Sequence, residues 1–277
     1  MDRSEIPTSE VVTVEFDKHV ATVWLDRPDQ RNALAPDFWD EFPRIMEALG
    51  EDDETRAIVI AARGQTFSAG IDLKAFGAVF MDGTDGSQVA DRMALHQNIK
   101  KLQGTFTSIA KCPKPVIAAI HGHCLGAGID LITACDVRLA SDDAIFSVRE
   151  TQIAMVADVG TMQRLPKIVN PGYLAEVVYT GKDFNAQYAL QMGLVTGVYP
   201  DAEAVLAAAS AMATEIAANS PLAVQGSKAV LQAGEGKSVD EALDYVALWN
   251  AAFIQSNDFS EAVMAFLQKR PPEFTGR

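Results

Sequence analysis

Short apolar runs rich in β-branched residues, alternating with segments of helical period, fill the first two-thirds of this chain and restrict its fold more than any other feature. Val11 to Phe16 and Val20 to Leu25 are two such runs, separated by Asp17-Lys18-His19 in the manner of a hairpin. Ala57 to Ala61 and Val116 to Ile120 read as buried strands, and Val137 to Ala140 and Ala144 to Val148 as further ones. Phe38, Phe42, Ile45 and Met46 lie at helical spacing and predict a helix from Pro36 to Leu49; a second helix is predicted from about Val89 to Ala110. Strands alternating with helices imply a largely parallel α/β core. Residues from Gly77 to Ser87 hold three glycines and little periodicity, and are expected to form a mobile loop.

From Asp201 onward the pattern is helical alone. Ser220-Pro221 gives an N-cap followed by Pro at the first helical position, and Ser238 with Glu241 makes a capping box. Asp258 with Glu261 repeats that signal. Val239, Ala242, Leu243, Val246, Trp249 and Phe253 trace one apolar face. Residues 1–200 are therefore expected to form the α/β core. Residues 201–277 are expected to form a helical region whose apolar faces need a partner, either the core or another subunit.

The formal charge of −14 repels a phosphate backbone, so nucleic acid is not an expected partner. Cys112, Cys124 and Cys135 form no C-x-x-C pair and no disulfide framework, which favours a reducing setting. The acidic opening, Met1-Asp2-Arg3-Ser4-Glu5, has no apolar stretch, and Thr275-Gly276-Arg277 is not a peroxisomal tripeptide. No uncharged apolar run reaches membrane-spanning length. A cytoplasmic protein with no membrane partner is the expectation.

Three acids stand out by their surroundings. Asp130 interrupts the uncharged stretch Leu125 to Ile132, Asp158 interrupts Ile153 to Gly160, and Glu150 follows the strand Ala144 to Val148. A carboxylate in apolar surroundings is costly unless paired or neutralised, so such positions are enriched in function. Burial and a nearby like charge raise a carboxyl pKa, which lets an acid and a base coexist at neutral pH. Taken singly, each also fits a structural role: Asp158 a turn before Val159-Gly160, Glu150 a solvated strand end, Asp130 a cap or ion pair in the core.

Glycines supply a second signal. Gly122, Gly126 and Gly128 lie between a strand and an apolar segment, where free N–H groups at a helix start favour negative charge. Gly70, before Ile71, offers a place to expose another N–H. Two converging donors would form an oxyanion hole worth roughly 3–4 kcal/mol per donor on a developing enolate; the same glycines also suit tight turns alone. Other chemistries lack support. The glycine spacing resembles a short-chain dehydrogenase loop, but no tyrosine has a lysine four residues later. Ser68 has no G-x-S-x-G context, and His19, His96, His121 and His123 show no metal-ligand spacing, so no metal is expected.

Four motifs in order then resemble the crotonase (enoyl-CoA hydratase/isomerase) superfamily: Arg27-Pro28 with Arg31-Asn32-Ala33-Leu34, Phe67 to Leu73, Lys114 to Gly122, and Thr161 to Pro166. The resemblance spans nearly the whole chain. It implies a spiral of ββα units with a C-terminal helical trimerisation region, in a trimer or a hexamer of two trimers. It implies an acyl-CoA thioester as substrate, with coenzyme A part of the substrate and no separate cofactor. The backbone N–H groups of Ile71 and Ala127 would hold the thioester oxygen, although Ala127 stands where the family usually has Gly. Arg31, Ala33, Leu34, Ala69, Gly70, Asp72, Leu73 and Gly128 would line the substrate, and Phe80, Met81, Met155 and Met162 are candidates for shaping the acyl tunnel.

Hydratases of the family carry Glu at both positions matching Asp130 and Glu150, and usually Gly at the position of Asp158. The set Asp130, Glu150, Asp158 is instead similar to the family's dienoyl-CoA isomerases, which act in fatty-acid β-oxidation. That resemblance implies proton transfer between C2 and C6 of a 3,5-dienoyl-CoA, with Glu150 and Asp158 each serving one carbon in either order and Asp130 orienting them. The alternative it leaves is an enoyl-CoA hydratase, or another crotonase acting on a different acyl-CoA.

Overall fold

The computed structural model describes Arg3 and residues 6–76 and 89–277 of the chain. The loop expected from Gly77 to Ser87, with Phe80 and Met81, lies outside the described residues. Nine strands are described: β1 (Val12–Asp17), β2 (Val20–Leu25), β3 (Ala57–Ala62), β4 (Val116–Ile120), β5 (His123–Leu125), β6 (Val137–Ser141), β7 (Ile145–Ser147), β8 (Phe184–Asn185) and β9 (Gly197–Tyr199). Among them run α1 (Pro36–Glu51), α2 (Val89–Lys111), α3 (Ala127–Ala134), α4 (Thr161–Arg164), α5 (Pro171–Thr180) and α6 (Ala186–Met192). The chain ends in α7 (Ala202–Ala217), α8 (Pro221–Ala233), α9 (Val239–Phe253) and α10 (Asn257–Gln268).

The larger sheet has the order β1-β2-β3-β4-β6-β9. The predicted hairpin pairs Val14 with Val23, and every later neighbour in the sheet is parallel. A parallel sheet needs cover on both faces, which is why β3 and β4 are apolar at every position. Ile58 and Ile60 enter one core, whereas Ala57, Val59 and Ala61 enter another beneath α7. That helix presents Val205, Ala209, Ala213 and Ala217 at four-residue spacing, and the small alanines let its backbone lie close to the sheet. On the opposite side, Phe38 stacks on Phe42 at 4.8 Å between ring centroids, and Trp39 meets Phe106 edge-on at 5.3 Å, joining α1 to α2.

The smaller sheet, β5-β7-β8, explains the spiral. After each of β4 and β6 the chain turns and lays down a second, short strand beside its predecessor, β5 and then β7. Isolated bridges from Ser68 to Cys124 and from Leu34 to Ile71 extend the same row one layer further. Gly122 makes the corner between β4 and β5 with φ +57°, and a Cβ there would fall 2.2 Å from the Gln65 carbonyl oxygen. The repeated strand, corner, strand, helix is the ββα spiral of the expected α/β class. The stretch Gly122 to Gly128, which the sequence places between a strand and a helix start, contains β5 and the start of α3.

The C-terminal caps are formed at Ser220 and Ser238, where Ser238 and Glu241 complete the capping box. The third predicted cap is not at Asp258. Ser256 caps α10 by accepting from the Phe259 N–H. Asp258 is buried and instead accepts from the Ser220 hydroxyl at 2.6 Å and the Thr275 N–H at 2.8 Å, tying the chain end to α8. Glu261 pairs with Arg270. The local pattern was ambiguous because Ser256 lies two residues upstream and both residues are common helix starters.

Lys228 fastens α8 to the core. Its buried ammonium donates to the Lys114 carbonyl at 2.9 Å and to Asp136 at 2.7 Å. Lys228→Ala removes the donor to the Lys114 carbonyl and leaves Asp136 with the Val116 N–H, and a charge-assisted bond of this kind is worth about 2 kcal/mol. The expected result is a lower urea midpoint at unchanged m-value, measured by circular dichroism.

Candidate active site

Parallel pairing brings three chain segments to one edge of the smaller sheet. Ser68 pairs with Cys124, Leu125 pairs with Ser147, and the residues that follow, Gly70-Ile71, Gly126-Ala127 and Arg149-Glu150, emerge side by side. Gly126 caps α3 at φ +52°, and its N–H donates to the Ser147 carbonyl at 2.9 Å. Ala127 opens that helix, so its N–H has no intrahelical acceptor and lies at the positive end of the helix dipole. Ile71 is flanked by two bonds to Leu34, the Leu34 N–H to Gly70 O at 2.8 Å and the Asp72 N–H to Leu34 O at 3.1 Å. Its own N–H has no acceptor among the described residues. Gly70, at φ +89°, permits the approach: a Cβ there would lie 2.8 Å from Leu125 O and 3.5 Å from the Ala127 nitrogen.

A cavity of about 950 Å³ opens at this edge. Ile71, Ala127, Glu150 and Asp158 line it, together with Trp39 and Phe76 and with Leu95, Ile99 and Leu102 of α2. Glu150 begins a 3-10 turn (Glu150–Ile153), and its Oε1 sits 3.5 Å from where a Cβ on Gly126 would be. Its Oε2 is buried and has no hydrogen-bond partner among the described residues. Burial and the neighbouring Asp130 charge push the Glu150 carboxyl up to about 7. Asp158 is half-buried and also raised, by desolvation.

Asp130, on α3, is fully buried behind the cavity wall. One oxygen accepts the Thr161 N–H at 2.5 Å and the other has no partner among the described residues. Desolvation raises its pKa to about 6, against the pull of the Thr161 hydrogen bonding and the Arg164 charge. Two acids with raised pKa values, Glu150 and Asp158, thus meet two free amides around one largely apolar space, with Asp130 buried behind it.

The molecule's relatives share this architecture. The model of the enoyl-CoA hydratase/isomerase family matches residues 15–277. The chain belongs to the enoyl-CoA hydratase/isomerase family. It is 44% identical over 256 residues to a Mus musculus protein named Delta(3,5)-Delta(2,4)-dienoyl-CoA isomerase, mitochondrial, covering 91% of this chain and 78% of that one. An Arabidopsis thaliana protein of the same name, peroxisomal, is 40% identical across 99% of both chains. A crystal structure of enoyl-CoA hydratase from Bacillus anthracis superposes with a TM-score of 0.87 at 30% identity, covering 96% of this chain and all of the other. These relatives overturn the cytoplasmic expectation, since the names place them in mitochondria and peroxisomes. Free, buried cysteines separate a reducing compartment from an oxidising one and say nothing finer.

For a member of this family the residues expected around the substrate divide by position. Ala69, Gly70 and Leu73 line the cavity. Arg31 lies outside its lining, in the left-handed region at φ 53°. Leu34 is buried and holds the 69–72 segment through its bonds to Gly70 and Asp72, the Arg31 carbonyl accepts the Ala69 N–H at 3.0 Å, and Ala33 bonds back to Gln30. Asp72 caps the residues after it and pairs with Arg27 at 3.2 Å. Gly128 packs within α3, where a Cβ would meet Cys124 and Ser68 at 3.3 and 3.4 Å. Met155 lines the cavity, whereas Met162 packs against the core. Sequence reasoning missed Trp39, Phe76, Leu95, Ile99 and Leu102; α2 was legible as a helix, but nothing in its local pattern marked which face a cavity would take.

Both resolved carboxyl values, about 6 for Asp130 and about 7 for Glu150, lie above the ordinary 3.8 and 4.5. The folded state therefore holds protons that the unfolded chain releases, and their contribution to stability falls as pH rises from about 4 to about 7. Glu150→Gln removes its share of that slope. Urea midpoints at pH 5 and pH 7.5 are expected to differ less for the variant than for the wild type.

Proposed function

We propose that this chain is a dienoyl-CoA isomerase that converts a 3,5-dienoyl-CoA to a 2,4-dienoyl-CoA in fatty-acid β-oxidation. The observation carrying this reading is that two raised carboxyls, Glu150 and Asp158, line one apolar cavity with the amides of Ile71 and Ala127. The names of the relatives at 40–44% identity support the same reading.

The Ile71 and Ala127 N–H groups receive the thioester oxygen and stabilise the charge that develops on it. C2 adjoins the thioester carbon, and Glu150 is the acid beside the Gly126-Ala127 turn. This supports Glu150 as the base that takes the C2 proton. The electron pair left at C2 delocalises through the diene and the carbonyl as a dienolate. Asp158 then supplies a proton at C6, and the double bonds settle at C2–C3 and C4–C5. One proton is lost and one gained, so no cofactor is required; coenzyme A is part of the substrate. Asp130 does not line the cavity. Burial first, and the Asp130 charge second, keep the Glu150 carboxyl near the neutral range where a base also recovers its proton acceptor form readily.

A homotrimer, or a hexamer of two trimers, built through residues 201–277 is part of the proposal. Val239, Leu243 and Leu248 on α9 and Phe266 and Leu267 on α10 are exposed apolar side chains, which supports an interface there.

The test follows formation of 2,4-dienoyl-CoA from a 3,5-dienoyl-CoA by ultraviolet absorbance. Glu150→Gln and Asp158→Asn are each expected to lower kcat by roughly 10²- to 10⁴-fold, the range of general acid–base catalysis. Wild-type rates in both variants would remove the mechanism, and hydration of a 2-enoyl-CoA without isomerisation would replace the reading with a hydratase.

A further inference from the structure

Asp158 lies in a stretch, 154–160, that belongs to no helix or strand, between the Glu150–Ile153 turn and α4. No sheet ladder fixes its backbone, yet the reaction proposed above needs its carboxyl at a set distance from one carbon of the substrate. Backbone bonds anchor its two ends, the Met155 N–H to Glu150 O at 2.9 Å and Gly160 O accepting from the Gln163 and Arg164 N–H groups, and the bonds to its middle come from side chains. Gln103, on α2, donates from Nε2 to the Asp158 carbonyl at 2.7 Å. One turn further on, the Thr107 hydroxyl donates to the Gln103 carbonyl at 2.6 Å and accepts from Arg164 Nη2 at 3.1 Å. Arg164 Nη1 approaches the Val159 carbonyl at 3.4 Å. The guanidinium occupies space that only glycine leaves at position 160, where φ is +143° and a Cβ would fall 1.8 Å from Nη1. On the far side of Gly160, the Thr161 N–H is bound by Asp130.

We propose that Gln103, Thr107 and Arg164 are positioning residues that hold Asp158 against the cavity and so set where the second proton is delivered. The inference rests on the isomerase reading and adds α2 to its machinery. The same helix lines the cavity with Leu95, Ile99 and Leu102, so the surface that an acyl chain touches is rigidly joined to the clamp on Asp158. Glu150 is held separately, beside the Gly126 turn of the smaller sheet. Loosening the clamp therefore uncouples the two proton transfers: removal at C2 continues while delivery at C6 slows.

Gln103→Met keeps the side-chain length and deletes the donor. With a 3,5-dienoyl-CoA in D2O, the variant is expected to lose about ten- to hundredfold in kcat, as small misplacement of a reacting group does. Deuterium uptake at C2 of recovered substrate is expected to stay within about twofold of wild type and KM within about threefold, because the thioester grip is untouched. Thr107→Val should fall in the same direction, and Thr107→Ser, which keeps the hydroxyl, should recover the wild-type rate. The Thr107 pair decides the matter if Gln103→Met does not fold by circular dichroism. Unchanged kcat in Gln103→Met and Thr107→Val, or a C2 exchange that falls in step with isomerisation, would overturn the clamp. A wild-type protein that does not isomerise the substrate at all would instead overturn the functional reading beneath it.

Discussion

Parallel pairing of very short strands is the constraint from which the site follows. The bridges and pairs from Leu34 through Ile71 and from Ser68 through Cys124 to Phe146 place successive chain segments in a row. Because they run the same way, their C-terminal ends reach one edge together, and the residues just beyond them must be neighbours. Ile71, Ala127 and Glu150 are separated by 56 and 23 positions in sequence (127 − 71 and 150 − 127) yet share one cavity for this reason. Glycines at 70, 122 and 126 take the positive φ angles that the corners require. Larger residues at 70 and 122 would meet backbone oxygens that cannot move without breaking the row.

The same row leaves polar groups unsatisfied, which folding alone would not favour. A buried N–H without an acceptor and a buried carboxyl oxygen without a donor each cost free energy. Here the Ile71 amide, one oxygen of Asp130 and one of Glu150 have no partner among the described residues. The surrounding cores offset that cost, with the larger sheet packed on both faces and the Phe38, Trp39, Phe42 and Phe106 rings joining α1 to α2. Stability is concentrated in the regular layers, and chemistry in the turns they hold rigid.

Burial does more than expose reactive groups. It shifts Asp130 and Glu150 toward neutrality because water no longer solvates their charged forms; the Asp130 charge adds to the Glu150 shift, and the Asp158 charge adds to both. An apolar tail lying between them would strengthen every such interaction by excluding water.

Much of this was written in the chain locally. Every strand of the larger sheet from β1 to β6 and the helices α1 and α2 follow from apolar periodicity, and Asp130, Glu150 and Asp158 betray themselves as charges where burial was expected. What the sequence alone did not determine is what those residues face. Asp130 proves to lie behind the cavity and Glu150 and Asp158 in it, Asp258 binds a distant segment where a cap was expected, and α2 supplies a wall. Local pattern reports whether a side chain is buried, because that depends on neighbours a few residues away. Which buried group meets which is decided by pairing between segments tens of residues apart, and only the tertiary structure carries that information.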